Sequence, residues 1–345
     1  MKKTRILVTG GTGYIGSHTV VELQQAGYEV VIIDNLSNSN IDVLDGIEAI
    51  SGIRPAFVEG DVTNIETLRS LFSSYPGIKG IINFAASKAV GESIEKPSLY
   101  YRNNLVSLLN LLDMMGPNGV EGIVFSSSCT VYGEPDSNPV TEDTPIKTAT
   151  SPYGNTKQIS EEIITDMIRS GAPFKSVILR YFNPVGAHPS AHIGELPNGV
   201  PQNLVPYLTQ TAIGIRKELS VFGDDYDTPD GSCIRDFINV VDLAKAHVIA
   251  VNRMLEGKSE QAVEIFNLGT GDGVSVLELI ESFERSTGVK VPYRIAPRRP
   301  GDIVKVWADP SRANNVLGWR TEISLDETMR SAWNWQLRLR EHGIM

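Results

Sequence analysis

The sequence predicts a doubly wound parallel α/β sheet followed by a smaller α/β lobe. Three observations predict it. Short Val- and Ile-rich runs recur through the first half, the pattern of parallel strands buried on both faces. Amphipathic stretches separate them, so strand and crossover helix alternate. A glycine-rich turn joins the first run to the first helix.

In order, the strand runs are "RILVTG" (5–10), "EVVIID" (29–34), "PAFVEGD" (55–61), "GIINFA" (80–85), "GIVFSSS" (122–128) and "SVILRYFN" (176–183). "IGSHTVVELQQAG" supplies the first helix, with Gly27 placed to cap its C-terminus. In "TSPYGNTKQISEE" (150–162), Ser151 and Pro152 read as an N-cap and a first helical residue. After Asn183, "PVGAHPSAHIGELPNGVPQNLVPY" is dense in Gly, Pro and Asn, which marks a loop. "LSVFG", "VVDLAKAHVIAVNRML", "VEIFNLG" and "VSVLELIESFERSTG" then give short strands and helices. The expected division is 1–182 for a dinucleotide-binding domain, rejoined by about 238–268. Residues 183–237 and 269–345 then form a lobe over the strand ends.

The 345 residues suffice for one large or two packed cores. A net charge of −10 argues against a broad nucleic-acid or anionic-membrane surface. Cys129 and Cys233 make neither a disulfide framework nor a zinc pattern. His188 and His192 have i, i+4 spacing, but a proline lies between them and no carboxylate is placed beside them. A loop therefore outweighs a metal site, and no metal is expected. "MKKTRILVTGG" turns to glycine where the apolar stretch of a signal peptide would continue. No apolar run has the length of a membrane span, and the expected location is cytoplasmic.

Gly10, Gly13 and Gly16 in "VTGGTGYIG" follow a strand and open a helix. Glycine is needed where the backbone turns sharply toward a pyrophosphate, and the helix N-terminus then faces the anion. A plain glycine-rich turn is the alternative, which this context disfavours. Tyr14 and Ile15 begin that helix. Asp34 ends the second strand, where a carboxylate can take both adenosine ribose hydroxyls and repel a 2′-phosphate. The loop behind it, with Asn35, Ser37 and Asn38, holds no Arg or Lys, which favours NAD over NADP. A turn aspartate is the other reading of Asp34. Asp61 and Val62 follow the third strand and could meet the adenine. Phe84, Ala85, Ala86 and Lys88 follow the fourth and could meet the pyrophosphate or the nicotinamide ribose. Asn103, in a polar "RNN", needs a partner that could be a backbone group or a ligand.

Ser128 ends the fifth strand, while Tyr153 and Lys157 share a helix face one turn apart. The three could converge, because ligands of open α/β sheets bind outside the carboxyl ends of the strands. A surface Tyr and Lys at helical spacing is common, but here a glycine loop accompanies them. Oxidising an alcohol by hydride transfer also removes a proton, and a tyrosine of pKa ~10 is a poor base at neutral pH. Moving it to neutrality takes ~4 kcal/mol. An ammonium ~5 Å away supplies ~3 kcal/mol at an effective dielectric of about 20. Lys157 could also hold ribose hydroxyls, and Ser128 could bridge the sugar hydroxyl and the phenol.

"VTGGTGYIGSHT", "FVEGD", "KAVGESIEKP", "FSSSCTVYGEP", "SPYGNTK", "RYFNPVGAHPS" and "APRRPGD" together resemble the UDP-glucose (UDP-galactose) 4-epimerase family of extended short-chain dehydrogenases/reductases. "KAVGES" and "RYFNPVGAHPS" are far more specific than the glycine loop. The resemblance implies a Rossmann sheet, tightly held NAD acting as catalyst, a UDP-sugar substrate and a homodimer built through a helix bundle. It implies that Tyr153 takes the proton of the sugar 4-hydroxyl while C4 gives a hydride to NAD. The 4-keto hexose then turns, and both return to its other face. Phe182 joins the implied cofactor contacts. The implied nucleotide contacts are Asn183, Asn203, Leu204, Val221, Phe222, Arg235, Arg299 and Asp302. Without the resemblance, each arginine reads equally as a surface ion pair. Val306 matches a position beside the sugar, where a small residue implies room for N-acetylhexosamines as well as plain hexoses. Packing in a core is its other reading.

Ala86 and Ser87 stand where the family often has Gly-Leu, and Phe237 where a tyrosine is common. Neither change removes a chemical group assigned above. One rival, a nucleotide-sugar 4,6-dehydratase, would carry an Asp-Glu pair after Ser128, where Cys129 and Thr130 stand. Two others are a 4-epimerase of a UDP-uronic acid and a non-catalytic NAD-binding protein. The latter usually loses the Tyr153–Lys157 pair, which is intact. Cys129 reads as a small buried side chain, since no His is placed to activate it.

Overall fold

The computed structural model describes residues 3–299 and 302–344. Its first strands are β1 (Arg5–Thr9), β2 (Glu29–Asp34), β3 (Ala56–Glu59), β4 (Ile78–Asn83), β5 (Gly122–Ser128), β6 (Lys175–Tyr181) and β7 (Asn183–Val185). Then come β8 (Leu219–Phe222), β9 (Ile234–Arg235), β10 (Phe237–Asn239), β11 (Val263–Leu268), β12 (Val274–Ser275), β13 (Tyr293–Ala296) and β14 (Lys305–Val306). The helices are α1 (Tyr14–Gln25), α2 (Val43–Ser51), α3 (Ile65–Ser74), α4 (Val90–Glu95) and α5 (Pro97–Met115). They continue as α6 (Pro152–Arg169), α7 (Leu204–Ala212), α8 (Val240–Leu255), α9 (Val276–Thr287) and α10 (Leu325–Glu341).

Seven strands form one sheet in the order β11-β6-β5-β4-β1-β2-β3, and every pair is parallel. The chain winds outward from β1 in both directions, so a crevice opens at the ends of β1 and β4. Side chains alternate across the pleat, which explains why the strands are apolar throughout. Ile6, Val8, Ile32 and Val124 face a core shared with α1 and α8. Leu7, Val31, Ile33 and Ile123 face another, covered by α3, α5 and α6. Fully burying each such side chain contributes ~1.5–3 kcal/mol.

Some boundaries differ from the apolar runs. β1 stops at Thr9 because Gly10 turns into the left-handed region, φ 68°. β3 is shorter than 55–61, and β4 begins at Ile78 and ends at Asn83. Run 176–183 splits: Tyr181 ends β6, and Asn183 begins β7, which pairs with β10 outside the main sheet. α1 ends at Gln25, and Gly27 follows at φ 92°.

Beyond the sheet, Val205, Leu208, Leu279, Phe283 and Met329 build a separate core from α7, α9 and α10. Helices α9 and α10 each begin with a capping box, Ser275 with Glu278 and Ser324 with Glu327. A small fourth cluster joins Val131, Tyr132, Val140 and Phe182 to Val306 and Ala308. It links the segments that leave β5 and β6 to β14. No described helix is long and apolar enough to cross a membrane.

Candidate active site

The glycine loop is set by close backbone approach. A Cβ on Gly10 would stand 2.9 Å from the Ala85 amide nitrogen, and one on Gly16 only 2.2 Å from the Gly10 carbonyl oxygen. Gly13 is the N-cap of α1 and has no side chain to cap it. The opening N–H groups of α1 are thereby left for an anion. Asp34 closes β2. Its Oδ1 accepts from the Leu36 amide (3.0 Å) and Ser39 Oγ (3.1 Å), and its Oδ2 from the Thr12 amide (3.3 Å). It is thus both a turn aspartate and a carboxylate beside the glycine loop. Asp61 accepts from the Thr63 amide (2.8 Å) and from Asn35 Nδ2 (3.3 Å). An uncapped helix end between tight glycines, with a carboxylate at the next strand end, fits an adenine dinucleotide.

The side chains of the other candidates here are placed as follows. Tyr14 Oη donates to the Gly186 carbonyl (2.7 Å), Ile15 packs on the core and Val62 is buried. Phe84 lies against His247, with ring centroids 4.8 Å apart. The Ala85 amide donates to Thr9 Oγ1 (3.2 Å), and Ala86 is half-buried beside it. Asn35, Ser37 and Asn38 are exposed. Asn103 Nδ2 donates to Ser87 Oγ (3.1 Å), but the buried asparagine is Asn104. Asn104 accepts from the Ser87 amide (2.8 Å) and donates to the Ser87 carbonyl (3.0 Å) and Thr156 Oγ1 (3.0 Å). It fastens the segment after β4 to α6, a role that sequence reasoning missed.

Helix α6 begins as expected: Ser151 Oγ accepts from the Gly154 amide (3.2 Å), and Pro152 is first in the helix. This start sets Tyr153 against the end of β5. Ser128 is buried beside the Tyr153 phenol, its Oγ accepting from the Thr130 amide (3.2 Å). Lys157 is 5% exposed, and its Nζ donates to the Ser126 carbonyl (2.6 Å). That nitrogen lies 4.9 Å from the Phe125 ring centroid and 5.8 Å from that of Tyr153. Burial pulls the ammonium down to about 8, against the charge of Glu161. Burial pushes the Tyr153 phenol up to about 12, with the neighbouring Ser128 hydroxyl opposing it. The net shift of Tyr153 is therefore upward, opposite to the lowering expected from Lys157. The ammonium is aimed at the Ser126 carbonyl, and burial dominates the phenol. Burial also pushes the Cys129 thiol up to about 12, which suits a packed side chain rather than a nucleophile.

Across the crevice, Glu195 gathers two candidates. It accepts from Asn203 Nδ2 (2.6 Å) and lies 3.6 Å from Lys88 Nζ. Nothing in its loop sequence marked it. The Asn183 amide donates to the Asp236 carbonyl (2.9 Å), and Leu204 begins α7. Arg235 has no ion pair among the described residues; its Nη1 donates to the Ile234 carbonyl (2.8 Å). Arg299 pairs with Asp302 (2.8 Å) and sits 5.3 Å from the Phe222 ring centroid. Pro300 and Gly301 of that stretch lie outside the described residues. Val221 is 1% exposed in the core below Phe222, so only its backbone could reach a ligand. Phe182 and Val306 are likewise buried, both in the fourth cluster.

A parallel sheet with this loop and a Ser–Tyr–Lys set at its edge defines a dinucleotide-dependent α/β class. Residues 7–332 match the family model described as GDP-mannose 4,6 dehydratase. The UDP-glucose 4-epimerase of Bacillus subtilis (strain 168) is 50% identical over 331 residues, 96% of each chain. That of Dictyostelium discoideum is 49% identical over 332 residues, 96% of this chain and 95% of the relative. A solved UDP-glucose 4-epimerase from Stenotrophomonas maltophila, with bound NAD and formylated UDP-arabinopyranose, superposes with a TM-score of 0.94 at 46% identity. That match covers 98% of this chain and 99% of the other. The chain belongs to the UDP-glucose 4-epimerase family.

Proposed function

We infer that the chain is an NAD-dependent UDP-hexose 4-epimerase that interconverts UDP-glucose and UDP-galactose. The observation that carries this is the meeting of Ser128 and Tyr153 beside buried Lys157, at the sheet edge next to the glycine loop. NAD, when bound, supplies the hydride acceptor for the sugar C4 and gives the hydride back. The loop of Gly10, Gly13 and Gly16, with Asp34 and Asp61, holds the dinucleotide. Tyr153 Oη takes the proton of the 4-hydroxyl, and Ser128 keeps that hydroxyl and the phenol in line. Lys157 lends positive charge to the phenolate and holds ribose hydroxyls. Arg235 and Arg299 meet the diphosphate, where guanidinium forks match phosphate oxygens. Asn183, Asn203, Leu204, Phe222 and Asp302 frame the rest of the nucleotide. The hexose itself stays unclamped, so it can turn and take the proton back from Tyr153 on its other face.

The family model is described by a dehydratase, yet Cys129 and Thr130 after Ser128 supply no carboxylate pair for eliminating water. The enzyme works as a homodimer in the cytoplasm, and it also turns over UDP-N-acetylglucosamine and UDP-N-acetylgalactosamine. The test is an assay of UDP-glucose and UDP-galactose interconversion with no added NAD, paired with release of dinucleotide on denaturation. Turnover with close to one equivalent released is expected. Under about a tenth of an equivalent, with activity wholly dependent on added NAD, would contradict tight retention.

A further inference from the structure

A buried ion pair that the chemistry above leaves unused grips the strand end carrying Ser128. Glu161 lies one turn beyond Lys157 on α6, on the same face. Its Oε1 accepts from Ser127 Oγ (2.5 Å) and Arg180 Nε (2.9 Å), and its Oε2 from Arg180 Nη2 (2.5 Å). The two side chains are 7% and 3% exposed. Arg180 Nη1 also donates to Tyr132 Oη (3.0 Å), which donates to Asn267 Oδ1 (2.6 Å) on β11. One carboxylate thus ties α6 to β5 and β6. Three consecutive serines of β5 then meet three groups of one helix: Ser126 meets Lys157, Ser127 meets Glu161 and Ser128 meets Tyr153. Stability alone is a weak reason for such a pair, since desolvating two charges consumes most of their attraction.

We propose that Glu161 is a positioning residue for the epimerase reaction, locking β5 to α6 and keeping the Lys157 ammonium charged. The proposal rests on Lys157 acting as the cationic partner of Tyr153. Burial pulls Lys157 down to about 8, and the charge of Glu161 is what opposes it. The groups facing this point are few. Helix α6 offers Tyr153 and Glu161, β6 offers Arg180 and Tyr181, and Tyr132 stands on Arg180. Tyr100 of α5 and Cys129 just after β5 face Tyr153, and β5 itself contributes serines and the Phe125 ring. Removing the Glu161 charge also leaves Arg180 as an uncompensated cation nearby, and both changes favour loss of the Lys157 proton.

The holoenzyme tests this through the pH profile of kcat. Glu161→Gln is expected to move the basic limb to lower pH by about one unit, because Lys157 loses its proton sooner. Glu161→Asp keeps the charge and should leave the limb within a few tenths of a unit of wild type. KM for UDP-glucose should change less than kcat. A basic limb unmoved in Glu161→Gln, or moved equally in Glu161→Asp, overturns the proposal. If Glu161→Gln does not fold, Ser127→Ala decides, since it cuts the strand link and keeps both charges. It should lower kcat several-fold with the limb in place; an unchanged kcat overturns the proposal. Lys157→Met separates the premise. A wild-type profile there sinks the role of Lys157, and the proposal with it. If Lys157→Met abolishes the limb that Glu161→Gln leaves in place, only the role of Glu161 fails.

Discussion

Burial penalises whichever form of a side chain is charged, so the Tyr153 phenol rises to about 12 while the Lys157 ammonium falls to about 8. A phenol so placed becomes a useful base only with positive charge beside it. Tyr153→Phe is expected to leave KM for UDP-glucose nearly unchanged and to lower kcat by ~10²–10⁴, the scale for a positioned base. Lys157→Met should move the acidic limb of the kcat profile to higher pH, because the phenol loses its cation. Steady-state kinetics across pH check both, and an unmoved acidic limb in a still-active Lys157→Met enzyme would contradict the assignment. Val306 poses a different question. It is 4% exposed and packs with Val131, Tyr132, Val140, Phe182 and Ala308, so it does not line open space by itself. A tyrosine there would push on Phe182, the residue before Asn183. Overpacking of this kind costs ~1–3 kcal/mol, tenfold or more in rate. The wild type is expected to turn over both plain and N-acetylated UDP-hexoses. Val306→Tyr should slow the acetylated pair at least about tenfold more in kcat/KM. Equal slowing of both pairs would assign Val306 to packing alone.

Elements were legible in the sequence wherever one physical signal fixed them. The Val/Ile runs located all six early strands, and Ser151-Pro152 located the start of α6. Contacts between elements were not legible. Asn103 and Asn104 are adjacent in sequence, and only the phase of α5 decides which of them turns inward. Glu195 sits in an irregular loop without any periodic signal. Arg180 did leave a trace, a charge inside an apolar strand, but its partner Glu161 needed the packing of α6 to appear. The glycines show the same limit, since sequence gives all three one role and the structure separates two. A Cβ on Gly16 would strike backbone at 2.2 Å, whereas one on Gly13 meets only the Gly10 carbonyl at 3.1 Å. Gly16→Ala should therefore lower Tm by about 5 °C or more with the protein stripped of dinucleotide. Gly13→Ala should keep Tm within about 2 °C but release NAD, because its cost falls on the ligand's approach. Thermal unfolding with and without NAD distinguishes them, and equal loss of Tm in both would remove the distinction.

At the scale of the whole molecule, the apolar surface is unevenly placed. Helix α5 buries Tyr100, Leu108, Leu111 and Leu112 against the sheet, yet its other side exposes Leu99, Val106 and Leu109. Helix α4, just before it, adds Val90 and Ile94, which is 59% exposed. The spacing from 99 to 106 to 109 keeps the three on one side of α5, as a helix-packing stripe requires. Helix α4 packs against α5, so both place exposed apolar side chains in one region of a chain of net charge −10, which would otherwise repel a second copy. A face shared about a two-fold axis is self-complementary, so a second copy of this chain can cover it with the same side chains. Light scattering is expected to give twice the mass of one chain. Leu109→Glu puts an unpaired carboxylate in the stripe and should shift the enzyme to monomer at micromolar concentration. Ile295→Glu is the control, because Ile295 is comparably exposed on β13, far along the chain from α4 and α5, and should leave the dimer intact. A Leu109→Glu protein that stays dimeric, or an Ile295→Glu protein that dissociates, would move the interface away from α4 and α5.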